Sequence, residues 1–375
     1  MNFSKLDAFM KTMPERGIPG CELAVAKDGE IVYRTSVGFA DAAKTKPASK
    51  NDLYWIYSAT KVITCIAAMR LVEEGKISLD DPVSKYIPEY AHLTVLQADG
   101  SVAPAKNTMT VLHLFTMTGG LSYDLKAPSL LNAIKQNAST LDTVRAMAKD
   151  PLLFEPGTHY KYSLCHDVLA AVAEVVTGMR FSDYLDQIIF KPLGIKDMGF
   201  RPNADQRSRL VSMYSFKSGT MTATEIECKN KYQLSPDYDS GGAGLFASVD
   251  EYIKIISVIA NGGTTKDGYQ LLKPETIAMM QVNYLHDDAR NDFISGMLYG
   301  YGWGLCGRVH MNKTVSLSRA PIGEFGWDGA ANAFVIVDPI NRVAVYYGTE
   351  IHSCDYGYRV IHPNIRNLVY EGLDE

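Results

Sequence analysis

The chain has 375 residues, 46% hydrophobic and 21% charged, an ordinary globular composition with length enough for two packed domains or one domain with a large insertion. Its 37 basic and 42 acidic residues leave a net charge of −5 without any basic run or Lys/Arg-rich stripe, which argues against nucleic acid as a partner. No apolar run reaches the ~18 residues of a membrane span, and the opening Met1-Asn2-Phe3-Ser4-Lys5-Leu6-Asp7 lacks the charged lead and apolar block of a signal peptide, so a cytoplasmic location is expected.

Phe3, Leu6, Phe9, Met10 and Met13 recur at helical spacing and predict a helix over 3–14, ended by Gly17, Pro19 and Gly20. Residues 21–26 and 31–36 are β-rich and flank Lys27-Asp28-Gly29-Glu30, an Asp-Gly hairpin signal. A connection over 37–57 ends in the aromatic run Tyr54-Trp55-Ile56-Tyr57. From Ser58 an amphipathic helix is expected, with Val62, Cys65, Ile66, Met69 and Val72 on one face and a stop at Gly75. Leu79-Asp80-Asp81-Pro82-Val83 reads as the start of a short helix. Further helices are predicted over 108–118, 141–149, 163–177 and 181–190, with a turn at Phe154-Glu155-Pro156-Gly157-Thr158. Segments 120–140 and 200–240 read as irregular and are expected to line the pocket. Gly241-Gly242-Ala243-Gly244 precedes a helix over 249–260. Strands return at 302–309, 331–337 and 342–349, with Asp338-Pro339-Ile340-Asn341 turning the second into the third, and a helix over 358–372 follows.

Strands, then many helices, then strands again predict an α+β fold. It is an α/β sandwich whose antiparallel sheet joins 1–78 with 240–375, carrying an inserted, mainly helical domain over 79–239, with the active site at their interface. Cys21, Cys65, Cys165, Cys228, Cys306 and Cys354 are far apart without Cys-x-x-Cys and read as reduced, buried thiols. The histidines show no His-Glu-x-x-His and no i, i+4 pair, so no metal and no cofactor is expected. Gly-x-Ser-x-Gly and Walker A sequences are absent.

Ser58-Ala59-Thr60-Lys61 is the stretch that carries chemistry. Three residues apart on a helix, the two side chains share a face, so the lysine amine reaches the serine hydroxyl. Unpaired N–H groups at a helix start favour negative charge developing there. A serine becomes a nucleophile when a neighbouring base takes its proton. Lysine serves as that base only where burial or a cationic neighbour lowers its pKa. Two later stretches accompany this pair. Pro156-Gly157-Thr158-His159-Tyr160-Lys161-Tyr162-Ser163-Leu164 delivers a tyrosine to an apolar helix, and Gly326-Trp327-Asp328-Gly329-Ala330-Ala331 is a small-residue run opening a strand.

Together these stretches resemble the serine β-lactamase and D,D-peptidase superfamily. In its class C branch, Ser-x-x-Lys is followed by Tyr-x-Asn and then by Lys-Thr-Gly or His-x-Gly. Here the second motif reads Tyr162-Ser163-Leu164 and the third Trp327-Asp328-Gly329, which looks most like the family VIII carboxylesterases. The resemblance spans nearly the whole chain and implies a β-lactamase/transpeptidase-like fold. It implies Ser58 as nucleophile, Lys61 as its base, and Tyr162 as second base, with Tyr160 the competitor two residues away. The N–H groups of Ser58 and Ala330 would form the oxyanion hole. Gly329 would permit close substrate approach, and Trp327, Asp328 and Leu164 would line the substrate.

Two departures bear on the substrate. Position 327 is Trp where a cation would bind the carboxylate of a penicillin or a D-Ala peptide. Position 164 is Leu, which cannot hydrogen-bond an acyl amide. The first favours a neutral ester or amide of a small molecule, and both weaken the reading as an antibiotic hydrolase. Arg359 or His352 are the candidates for a substitute charge. The expected activity is therefore a serine hydrolase acting on a small carboxylic ester. A β-lactamase or D-amino-acid peptidase is the alternative, and an acylated sensor or binding protein without turnover the second.

Overall fold

The computed structural model describes residues 1–295 and 298–375. Helix α1 (Ser4–Lys11) leads into the hairpin of β1 (Gly20–Lys27) and β2 (Glu30–Gly38), turned by Asp28 and Gly29, both at positive φ. Helices α2 (Thr60–Glu73), α3 (Cys165–Thr177) and α4 (Val249–Ala260) follow. Strands β3 (Tyr301–Gly304), β4 (Gly307–His310), β5 (Phe325–Gly326), β6 (Phe334–Asp338) and β7 (Val343–Thr349) precede α5 (His362–Asp374). The seven strands form one antiparallel sheet in the order β3-β4-β5-β6-β7-β1-β2. The early hairpin and the late strands thus share a sheet through β1 and β7, giving the α+β architecture that the strand–helix–strand pattern predicts.

Strand alternation divides the core. Leu23, Val25, Ile336, Val343 and Val345 face α1 and α5, with Leu6, Met10, Ile365 and Val369 opposite them. Ala24, Ala26, Val335, Val337 and Ala344 face the other way, into a core that runs without a break through α4 and α2 to α3. The alanines among them, with Gly348, where a side-chain carbon would stand 2.9 Å from Val249, let α4 approach β1 and β7 closely. Among the described residues no helix is long and apolar enough to cross a membrane.

Several elements differ from expectation. Helix α2 is buried on every side over Thr60 to Met69 instead of presenting one apolar face, because it runs through the centre of the molecule. The run 302–309 is two strands, since Leu305 and Cys306 turn the chain and Gly307 sits at φ +108. Residues 329–333 form a turn, with Gly329 N–H donating to the Ala333 carbonyl at 2.9 Å, so the next strand starts at Phe334. Asp81 takes the Ser78 N–H at 2.7 Å and Pro82 is extended, which replaces a helix at 79–83 with the short 3₁₀ turns Val83–Lys85 and Pro88–His92. The segments read as irregular hold a helix at Pro128–Lys135 and a hairpin of Met213–Lys217 with Thr222–Ile226.

Candidate active site

Ser58 is placed by backbone on both sides. Tyr54 and Trp55 pair with Phe246 and Ala247, and the Trp55 N–H donates to the buried Glu350 carboxylate at 2.8 Å. Burial raises the Glu350 pKa well above the ordinary carboxylate value. Tyr57 then adopts φ +44, a left-handed conformation unusual for an aromatic residue. Its ring is pinned edge-on between His352 at 4.8 Å and Tyr232 at 6.1 Å. This strained corner swings Ser58 into a 3₁₀ turn, Tyr57–Ala59, that runs directly into α2.

Lys61 sits in the first turn of α2, 1% exposed. Its Nζ lies 3.3 Å from Ser58 Oγ and donates to the Gly242 carbonyl at 2.7 Å. The glycine run makes this possible. A side chain on Gly241 would stand 2.5 Å from the His166 carbonyl, and one on Gly242 would stand 2.5 Å from Asp167. Thr64 donates to the Gly241 carbonyl at 2.7 Å, and the Leu245 N–H donates to Thr60 Oγ1 at 3.1 Å, so the loop is fastened along α2.

Tyr162 faces the same point from the lead-in to α3. Lys61 Nζ lies 4.6 Å from its ring centre. Tyr123 stacks on it at 5.5 Å, and the Trp327 indole N–H donates to its hydroxyl at 2.9 Å. Tyr160 occupies a different setting: its ring packs against Phe293 at 5.2 Å and Trp303 at 5.4 Å, and burial raises its pKa well above 10.0.

The third motif reaches Ser58 through Gly329, where a side-chain carbon would stand 2.5 Å from the Ile56 carbonyl. Only glycine lets the 327–333 connection lie against the 56–58 corner. Ser58, Tyr123, Tyr162, Tyr232, Trp327 and Ala330 line one end of a cavity of about 810 Å³. Its other end is charged. Arg308, 1% exposed, donates to Asp328 at 2.6 Å and to the Val335 carbonyl at 2.7 Å. Burial opposes the Asp328 charge, but Arg308 overcomes it and holds the carboxyl pKa below its usual value. Glu324 lies between Arg308 and Arg366, 3.6 and 3.7 Å away.

Leu164 does not line this cavity. It caps the start of α3, 5% exposed, and borders a separate depression with Leu121, Leu130 and Leu152. The helix start fixes its direction, and the apolar core claims it. Asp328 borders the cavity but is tied to Arg308. Arg359 lies at the exposed rim, while His352 packs on Tyr57, with burial lowering its pKa to about 4. Tyr123, Tyr232 and Arg308 belong to no sequence motif, and their signal is three-dimensional. No cluster of three or more metal-ligating side chains occurs among the described residues, and no disulfide forms.

A family model described as Beta-lactamase matches residues 5–351. Esterase EstB of Burkholderia gladioli is 32% identical over 328 residues, 80% of this chain and 78% of that protein. A putative D-alanyl-D-alanine carboxypeptidase of Escherichia coli O157:H7 is 26% identical over 372 residues, covering 91% and 80% of the two chains. Among solved structures, EstCE1, a hydrolase with promiscuous acyltransferase activity, superposes with a TM-score of 0.82 at 24% identity, covering 98% of each chain.

Proposed function

The chain belongs to the Beta-lactamase family and is a serine hydrolase, and we propose that it cleaves small, uncharged carboxylic esters through an acyl-enzyme on Ser58. The observation that carries this reading is the Trp327 N–H. It is spent on the Tyr162 hydroxyl at 2.9 Å, at a position where a substrate carboxylate would need a cation. The cavity wall around Ser58 is aromatic, which suits an uncharged acyl or alcohol group.

In this reading Ser58 Oγ attacks the ester carbonyl. Lys61 and Tyr162 manage the proton, and Tyr162 returns it to the leaving alcohol. The N–H groups of Ser58 and Ala330 hold the oxyanion, each such donor contributing ~10²–10³ in rate. Water then hydrolyses the acyl-enzyme.

The test is a panel of short-chain nitrophenyl esters, a chromogenic cephalosporin and a D-Ala-terminated peptide, with Ser58→Ala as control. Ester turnover should dominate and vanish in the variant. Faster cleavage of the cephalosporin or peptide would replace the ester reading with the alternative that the carboxypeptidase-like relatives suggest. A stable acyl adduct by intact mass, without turnover, would make the protein a sensor.

A further inference from the structure

Asp167, in the first turn of α3, is fully buried and has no part in the scheme above. Its Oδ1 accepts from the Tyr238 hydroxyl at 2.7 Å and the Ser240 hydroxyl at 2.6 Å. Its Oδ2 is buried with no hydrogen-bond partner among the described residues. A methyl group placed on Gly242 would stand 2.5 Å from that oxygen and 3.3 Å from Lys61 Nζ. The absent side chain of Gly242 therefore leaves a gap bordered by a carboxylate oxygen and an amine.

Burying a carboxylate is costly unless a cation compensates it. Neighbouring Asp239 takes Arg180 and Arg201, so those guanidinium groups are committed elsewhere. The other titratable groups ranged around Asp167 are Tyr90, Tyr123, Tyr232, Tyr238, Cys165 and His166. None is a permanent cation. Among the described residues, Lys61 is the cation that borders the gap.

We propose that Asp167 is a positioning residue whose unpartnered oxygen, acting across the Gly242 gap and not by direct contact, keeps Lys61 an ammonium ion beside Ser58. This rests on the reading of Ser58 as nucleophile. With Lys61 charged, the proton leaving Ser58 Oγ goes to a Tyr162 phenolate. That oxygen accepts the Trp327 N–H, and Lys61 stabilises its charge from the ring face. The bond from Oγ to the carbonyl carbon forms, the bond to the leaving alkoxide breaks, and the proton on Tyr162 passes to that alkoxide. Proton and charge balance, and Lys61 keeps its proton throughout.

The test is the pH profile of kcat/KM for Asp167→Asn, a change that keeps the shape and the acceptor for Tyr238 and Ser240. Losing a nearby negative charge makes every protonation of the Lys61–Tyr162 pair less favourable. Both limbs should therefore move to lower pH, by about one unit or more. Reduced activity with both limbs in place would mean a merely structural role and overturns the proposal. Lys61→Arg gives a second measurement that does not depend on Asp167→Asn folding. Arginine keeps the cation and cannot act as a base, so Ser58 acylation should persist at least tenfold above Lys61→Ala. Equal loss in the two variants overturns the proposal. Both profiles can be read on whichever substrate the wild-type protein turns over, so an error in the ester assignment leaves this test intact. Loss of nothing in Ser58→Ala would instead refute the nucleophile itself.

Discussion

At the Ser58 end of the cavity each polar group keeps a contact to spare: Lys61, anchored on the Gly242 carbonyl at 2.7 Å, also stands 3.3 Å from Ser58, and Tyr162 accepts a single indole N–H. At the far end Arg308 is bound at 2.6 Å to Asp328 and at 2.7 Å to the Val335 carbonyl, with Glu324 enclosed by Arg308 and Arg366. The first set keeps lone pairs and protons available for a substrate. The second spends them on one another and fastens α5 and the 327–333 connection to the sheet. One cavity therefore contains a reactive wall and a structural wall, and residue type alone does not distinguish them.

Substitutions should separate the two. The largest effect is expected from Tyr162→Phe, which removes the proposed base: kcat/KM should fall about 10²–10⁴ with the melting temperature unchanged, and activity within tenfold of wild type would move Tyr162 to the structural class. Arg308→Met should do the reverse. It takes from Asp328 its guanidinium partner and leaves Glu324 with Arg366 alone, and should cost about 3 kcal/mol of stability in denaturant titration. Turnover by the folded fraction should stay within about threefold of wild type, and a loss of turnover at unchanged stability would erase the distinction. Trp327→Phe keeps the wall and deletes the N–H to Tyr162, so kcat should drop about tenfold while KM holds; a rise in KM alone would mark Trp327 as a substrate contact. The smallest effect belongs to Arg359→Ala at the exposed rim. For an uncharged ester, KM should shift by less than about twofold, and a tenfold rise would point to recognition of a charged group.

The reactive wall was the more legible in the sequence because its key relation is local. Ser58 and Lys61 are one helical turn apart, and that spacing alone brings Nζ to Oγ. Tyr162 and Gly329 were placed by family resemblance, and the structure brings both to the same corner. Leu164 was misplaced because its direction depends on how α3 docks against Leu121 and Leu130, which spacing does not encode. Asp167 sat in plain view on an apolar helix, but its significance comes from Gly242, far away in the chain. The structural wall was invisible for the same reason: Arg308, Glu324 and Arg366 lie on three separate elements. Among the secondary elements, the missed hairpin at 213–226 had a faint signal in the alternation of Met213, Tyr214, Ser215 and Phe216, which polar flanks concealed. Pro128, at the first position of its helix, was the cue available for Pro128–Lys135.

The adjacency of β1 and β7 has a kinetic consequence. The sheet closes in the middle by pairing strands from opposite ends of the sequence, Cys21 to Thr349 through Lys27 to Val343, and the Thr349 hydroxyl donates to the Gly20 carbonyl across 329 positions of chain. Contacts of such long range carry a large loop-closure entropy and slow folding. During synthesis the β1–β2 hairpin emerges early and then waits, with one edge open, until β7 leaves the ribosome. Over that interval the unpaired edge of β1 is the place where a wrong strand can add.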